Sequence, residues 1–145
     1  MGGRRVSYPG LTLAEAKQLL AQVQQSVVAH QARVFVTTRS HCAACGLPLR
    51  RKEEMTRTFR TLFGTVRLTS PRLYHCRCRT LTTTTFRPLT ELLTASTAPE
   101  LLFLETKWAS LVSYGMAARV LKDFLPLDES LNATTIQNHT LAVAQ

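Results

Sequence analysis

The fold turns on RTFRTLFGTVRLTSPRLYHCRC, residues 57–78, read together with HCAACG at 41–46. The first stretch is rich in β-branched and aromatic residues and carries Gly64-Thr65 near its centre. A glycine-first two-residue turn suits the twist of two flanking strands, so the stretch predicts a β-hairpin turning at Gly64-Thr65. Val66 and Leu68 alternate with Arg67 and Thr69. Side chains alternate across a strand, so the expected ribbon has one apolar face and one basic face.

Cysteine pairs bracket this hairpin. Cys42 and Cys45 form a C-x-x-C knuckle with Gly46 placed to turn the chain back, and Cys76-x-Cys78 follows the second strand. Zinc takes four soft thiolates tetrahedrally, and two pairs joined by a hairpin are the layout of a zinc ribbon. The second pair has one intervening residue where ribbons usually have two. His41 and His75 are alternative ligands beside the pairs. Two disulfides, or a remnant site with weak or no metal, are the competing readings. Nothing near the cysteines resembles an oxyanion hole or an ordered base, which argues against a Cys–His nucleophile. The expected cofactor is therefore structural zinc, because a sheet this small buries too little apolar surface to stand unaided. No catalytic metal is expected.

Charge is concentrated in the same region. The chain has 145 residues and a net charge of +9. Residues 33–87 hold twelve Arg and Lys against Glu53 and Glu54, whereas 88–145 hold three basic residues against six acidic ones. A basic middle segment fits a polyanion partner, with a plain solvated face as the alternative. Arg57, Arg60, Arg67 and Arg72 are expected on the exposed face of the hairpin, with Arg50, Arg51 and Lys52 near the knuckle. Arginine's forked donors suit phosphate and set affinity and register, not sequence choice.

Helical patterns flank the β region. Thr12 and Glu15 make a capping box for a helix over LTLAEAKQLLAQVQQSVVAH. Leu13, Ala16, Leu20, Val23 and Val27 form its apolar stripe, a packing face within the chain or against a second copy. TLTTTTF at 80–86 is a further candidate strand. Beyond Pro88, Thr97 and Glu100 form a second capping box ahead of ELLFLETKWASLV, whose inner side is expected to hold Leu101, Leu104, Trp108 and Leu111. Ser113 caps the next helix, with Ala117, Val120, Leu121 and Phe124 inward and Pro126 as its stop. Asn132 caps the last, with Ile136 and Val143 as anchors. The last helix carries Thr134, Thr135, Gln137, Asn138 and His139. Amide side chains read adenine in the major groove, so the three helices fit a helix-turn-helix with the last as reader. A plain helical bundle is the alternative, because LPLDESLN is long for the connecting turn and this end is net acidic.

The expected fold class is α+β: an N-terminal helix (1–32), a zinc-ribbon-like basic β domain (33–87) and a helical, helix-turn-helix-like segment (88–145). No run of 18 apolar residues occurs, and MGGRRVSYPG lacks the apolar core of a secretory signal, so the expected location is cytoplasmic, with no membrane partner.

CAACGLPLRRK, RTFRTLFGTVRLTSPRLYHCRC, FRPLTELL and PELLFLETKWASLVSYGMAARVLKDFLPLDESLNATTIQNH, in this order over residues 40–145, resemble bacterial insertion-sequence transposases of the ISKra type. LETKWASLVSYG and RTLFG are the most specific parts. The resemblance implies a zinc-ribbon-like and helix-turn-helix N-terminal region that binds the element's ends as double-stranded DNA. It also implies a DDE-type catalytic domain beyond it. The expected protein partner is a second copy or the remaining transposase chain. No Asp or Glu follows Glu129, and the nine acids present form no evident triad. Two-metal phosphoryl transfer needs converging carboxylates. The expectation is a non-catalytic DNA-binding part, truncated before the catalytic domain. A stand-alone zinc-ribbon regulator or adaptor, or an inactive transposon remnant, stands as the alternative.

Overall fold

A computed structural model describes residues 9–78, 81 and 83–145. The opening MGGRRVSY, and Thr80 and Thr82 of the expected threonine-rich strand, lie outside the described residues. The chain is α+β. Helix α1 (Leu13–Arg39) leads into strands β1 (Arg51–Thr61), β2 (Gly64–Tyr74) and β3 (Thr85–Phe86), and then helices α2 (Pro88–Leu92), α3 (Pro99–Ala109), α4 (Tyr114–Phe124) and α5 (Ala133–Val143). The strands form one antiparallel sheet in the order β1-β2-β3.

The capping box opens α1: the Thr12 hydroxyl accepts from Glu15 N–H, and the Glu15 carboxylate accepts from Thr12 N–H. The helix runs on to Arg39, through the expected boundary at 32/33. Packing overrides the weak helix propensity of VFVTT here. Ala32 is buried, and Val28, Ala29 and Val36 lie with it against Val66 and Leu68 of β2 and Leu89 and Leu93 at α2. Gln25 clasps the edge of β2 by exchanging side-chain hydrogen bonds with the Arg67 backbone. The inward face is therefore not the stripe of Leu13, Leu20, Val23 and Val27, which is exposed.

The hairpin forms, but it turns two residues earlier than expected. Thr61 pairs with Gly64, leaving Leu62-Phe63 as the loop. The Thr61 hydroxyl explains the shift: it donates to the Gly64 carbonyl at 2.8 Å and accepts from Phe63 N–H at 3.2 Å. Gly64 then starts β2 at φ +115°, a conformation few other residues adopt. The tip docks on two elements at once. A β-carbon at Gly64 would lie 3.4 Å from the Pro126 carbonyl and 3.7 Å from the Ala21 side chain. Thr65 also donates to the Asp128 carboxylate at 2.7 Å. The outer edge of β1 is closed near the tip, where Arg60 exchanges backbone bonds with Ser96 and Ala98. That edge pairing occupies the expected Thr97–Glu100 capping box: Thr97 is buried, Ala98 is the N-cap, and no side chain caps α3. Of the expected strand at 80–86, Thr85–Phe86 forms, paired with Leu73 and Tyr74.

Helices α3, α4 and α5 pack mutually around Ala117, Ala118, Leu121, Leu131 and Ile136. Ser113 and Asn132 cap α4 and α5 by accepting from Met116 and Thr135 N–H. Leu104 and Trp108 join this core, but Leu111, Phe124 and Val143 are exposed. Leu111 sits past the end of α3, and Phe124 and Val143 are the last residues of their helices, so periodicity carried beyond the packed turns misplaces all three.

Candidate metal centre and nucleic-acid interface

The cysteines sit at the base of the hairpin, opposite its docked tip. The chain leaves α1 at Ser40, and the knuckle is closed by Cys42 N–H to Leu47 O and Gly46 N–H to Cys42 O, each 2.9 Å. Gly46 takes φ +73° to allow it. Leu49 N–H returns to Ser40 O at 2.8 Å, tying the knuckle to the helix end. Tyr74 N–H to Arg50 O holds the second pair against the first, and His75 N–H to Thr84 O ties it to the residue before β3.

The result is a four-thiol cluster in which all Sγ atoms lie within 4.8 Å of one another. Cys42 and Cys78 are 3.6 Å apart, and Cys45 and Cys76 are 3.5 Å apart. Tetrahedral thiolates about 2.3 Å from an ion lie roughly 3.8 Å from each other. The four thiols are free, and their spacing fits such a tetrahedron. Local amides favour ionisation on one side: the backbone of Cys45, then of Ala44, brings the Cys42 thiol down to about 6. The Cys76 and Cys42 thiols push Cys78 up to about 12. A cation shared by the four would relieve that crowding of like groups. Neither expected substitute histidine belongs to the cluster. His75 packs on the Phe86 ring at 4.8 Å, and His41 bridges to Pro48.

The arginines do not share one face of the ribbon. Residues directly opposite point the same way. Register therefore sends Arg57 and Arg72 to the side of Phe59, Val66 and Leu68, and Arg60 and Arg67 to the other. Arg72 is committed to Thr85 and Glu53 at 2.9 and 3.1 Å. Arg60 lies at the tip beside Asp128 and Glu105. Arg50 stacks over Tyr74, 4.6 Å from its ring centre. Arg57 lines a groove with Arg87 against α2. Lys52 is exposed on β1. The open cations gather elsewhere: Arg67 and Arg51 line a groove between the ribbon and α1, joined by Arg33 from the helix. Arg51 reaches Glu54 only at 3.5 Å, with both side chains mostly exposed. Arg33 is a contributor that sequence reasoning did not name, since its place beside Arg67 depends on α1 continuing past position 32.

On α5, Thr134, Gln137 and Asn138 are exposed. Thr135 faces its own cap, donating to Ser130 O at 2.8 Å. The helix carries no acidic residue. Its inner side holds a second unforeseen feature. His139 Nδ1 lies 2.5 Å from Glu105 Oε2, and Glu105 is fully buried on α3 with Oε1 lacking a partner among the described residues. The signal was present: Glu105 falls on the helical face of Leu101, Leu104 and Trp108. Among the described residues, no helix is long and apolar enough to cross a membrane. Compared with models of known protein families and with curated protein sequences, the chain matches none.

Proposed function

We propose that this chain is a non-catalytic DNA-binding module, the end-binding N-terminal region of an insertion-sequence transposase of the ISKra type, stapled by structural zinc at Cys42, Cys45, Cys76 and Cys78. The observation that carries the reading is the convergence of four thiols at the base of an arginine-bordered ribbon. The ion would fix the ribbon's base while Arg33, Arg51 and Arg67 face a backbone phosphate run, with Lys52 beside them. The cluster of α3, α4 and α5 supports a reader role for α5. Thr134, Gln137 and Asn138 sit on an uncharged outer face, and amides pair with adenine edges. None of the acids of this end lies on α5 itself.

The reading is tested by fluorescence anisotropy with the zinc-loaded chain. The probes are DNA from either side of its coding frame and a scrambled duplex. Preferential binding to the flanking ends, weakening steeply as salt rises, is the expected result. Equal, weak binding to both duplexes overturns the end-binding role. Tight binding to unrelated promoters or to a polymerase instead identifies the stand-alone regulator or adaptor.

A further inference from the structure

We infer that α1 is a homodimerisation helix: its outward stripe is a seam for the α1 of a second copy. This inference does not rest on the nucleic-acid reading. Positions 13, 16, 20, 23, 27, 30 and 34 alternate steps of three and four, which is the heptad spacing of paired helices. They hold Leu13, Ala16, Leu20, Val23, Val27, His30 and Val34. A different set, Val28, Ala29, Ala32 and Val36, packs α1 on its own sheet. The helix thus has two apolar faces in two phases, and the described residues of the chain cover only one. The five large seam residues are between 39% and 53% exposed, and Leu19 beside them is 48% exposed.

Area favours a partner. These six side chains expose on the order of 500 Å² of mainly apolar surface, at the upper end of what a typical monomer carries. The patch continues at the helix's later half into an apolar groove lined by Val34, Phe35, Phe59, Leu92 and Leu93. Two copies joined face to face would bury about 1,000 Å² from the seam alone, which reaches the size of a specific interface. Charge is compatible with a like helix as the partner. The seam positions hold no Asp, Glu, Lys or Arg. The flanking positions are Lys17, Gln24 and Gln31 on one side and Leu19, Ser26 and Arg33 on the other. Pairing the helix with itself in either direction sets no two like charges opposite each other. A two-fold, self-complementary contact follows.

Sedimentation equilibrium of the full zinc-loaded chain tests this. The expected result is a monomer–dimer equilibrium in the micromolar range. Val23→Asp with Val27→Asp should weaken it at least tenfold, while Leu141→Asp, on an exposed site of α5, leaves it unchanged. Both changed valines point away from the protein's own core, and circular dichroism checks that the helix persists. A photo-crosslinker at Ser26 should trap a covalent dimer, and one at exposed Gln18 on the far side should not. A strictly monomeric chain, a dimer indifferent to the paired aspartates, or crosslinking from Gln18 alone overturns the inference.

Discussion

Replacing Cys76 with serine should detach the base of the hairpin while its tip stays folded. Residues 41–50 form the knuckle and its return, and none of them is buried. Ordering ten such residues costs roughly 1–2 kcal/mol each, or about 10–20 kcal/mol. Leu73 is the buried apolar anchor next to them, and burying one such side chain contributes only about 1.5–3 kcal/mol. The shortfall matches the apparent 10–16 kcal/mol that structural zinc supplies in small domains. The tip half has other support, because Val66 and Leu68 pack against Ala32, Leu89 and Leu93. Hydrogen exchange with elemental analysis reads both halves. Wild type should carry one ion per chain, and Cys76→Ser should lose it. The amides of Cys42, Gly46, Leu49, Tyr74 and His75 should then exchange freely, while those of α1 and the hairpin tip keep their protection. Full protection of the knuckle amides in demonstrably metal-free protein would refute the reasoning, as would collapse of the tip along with the base.

The same geometry yields further expectations. Arg67→Ala should weaken binding to every duplex alike and lower the salt slope by about one, whereas Gln137→Ala or Asn138→Ala should narrow the gap between end and random DNA, both read by anisotropy titrations. His139→Ala leaves the buried Glu105 side chain without its hydrogen-bond partner and should cost about 1–3 kcal/mol in urea unfolding. Gly64→Ala should lower stability by about 1 kcal/mol or more, since alanine resists φ +115° and its methyl meets the Pro126 carbonyl. The Ser130 hydroxyl, and then that of Thr65, holds the Asp128 carboxyl below its ordinary value. A depressed acid stabilises the fold above its unfolded value and loses that contribution as pH falls through the folded one. Thermal melts of wild type and Asp128→Asn should therefore differ near neutrality and converge in strong acid; a gap that widens on acidification contradicts the assignment.

Much of the architecture was legible because local signals and tertiary packing agree. The Thr12–Glu15, Ser113 and Asn132 caps each depend on residues within three positions, and each forms. The cysteine cluster was visible from spacing alone, although spacing names no metal. Failures occur where a distant contact decides. The turn moved because the Thr61 hydroxyl closes it and Gly64 is needed against Pro126 and Ala21. The Thr97–Glu100 box is absent because Thr97 bridges to Arg60, 37 residues earlier in the chain. The arginines were assigned to one face, but strand register splits them, and register depends on the turn. The stripe of α1 could be read as a packing face but not assigned to a side, because two apolar phases overlap on one helix and only the sheet's position distinguishes them.

The unbroken length of α1 makes it a ruler. Near its start, Lys17 reaches the carbonyls of Lys122 and Asp123 at the end of α4; at its far end, Ser40 holds the knuckle. Between those anchors the helix advances about 35 Å, close to the repeat of one turn of B-form duplex. Adding or removing a single residue midway would swing everything beyond it by about 100°, so the spacing is set in whole steps and tolerates no gradual drift.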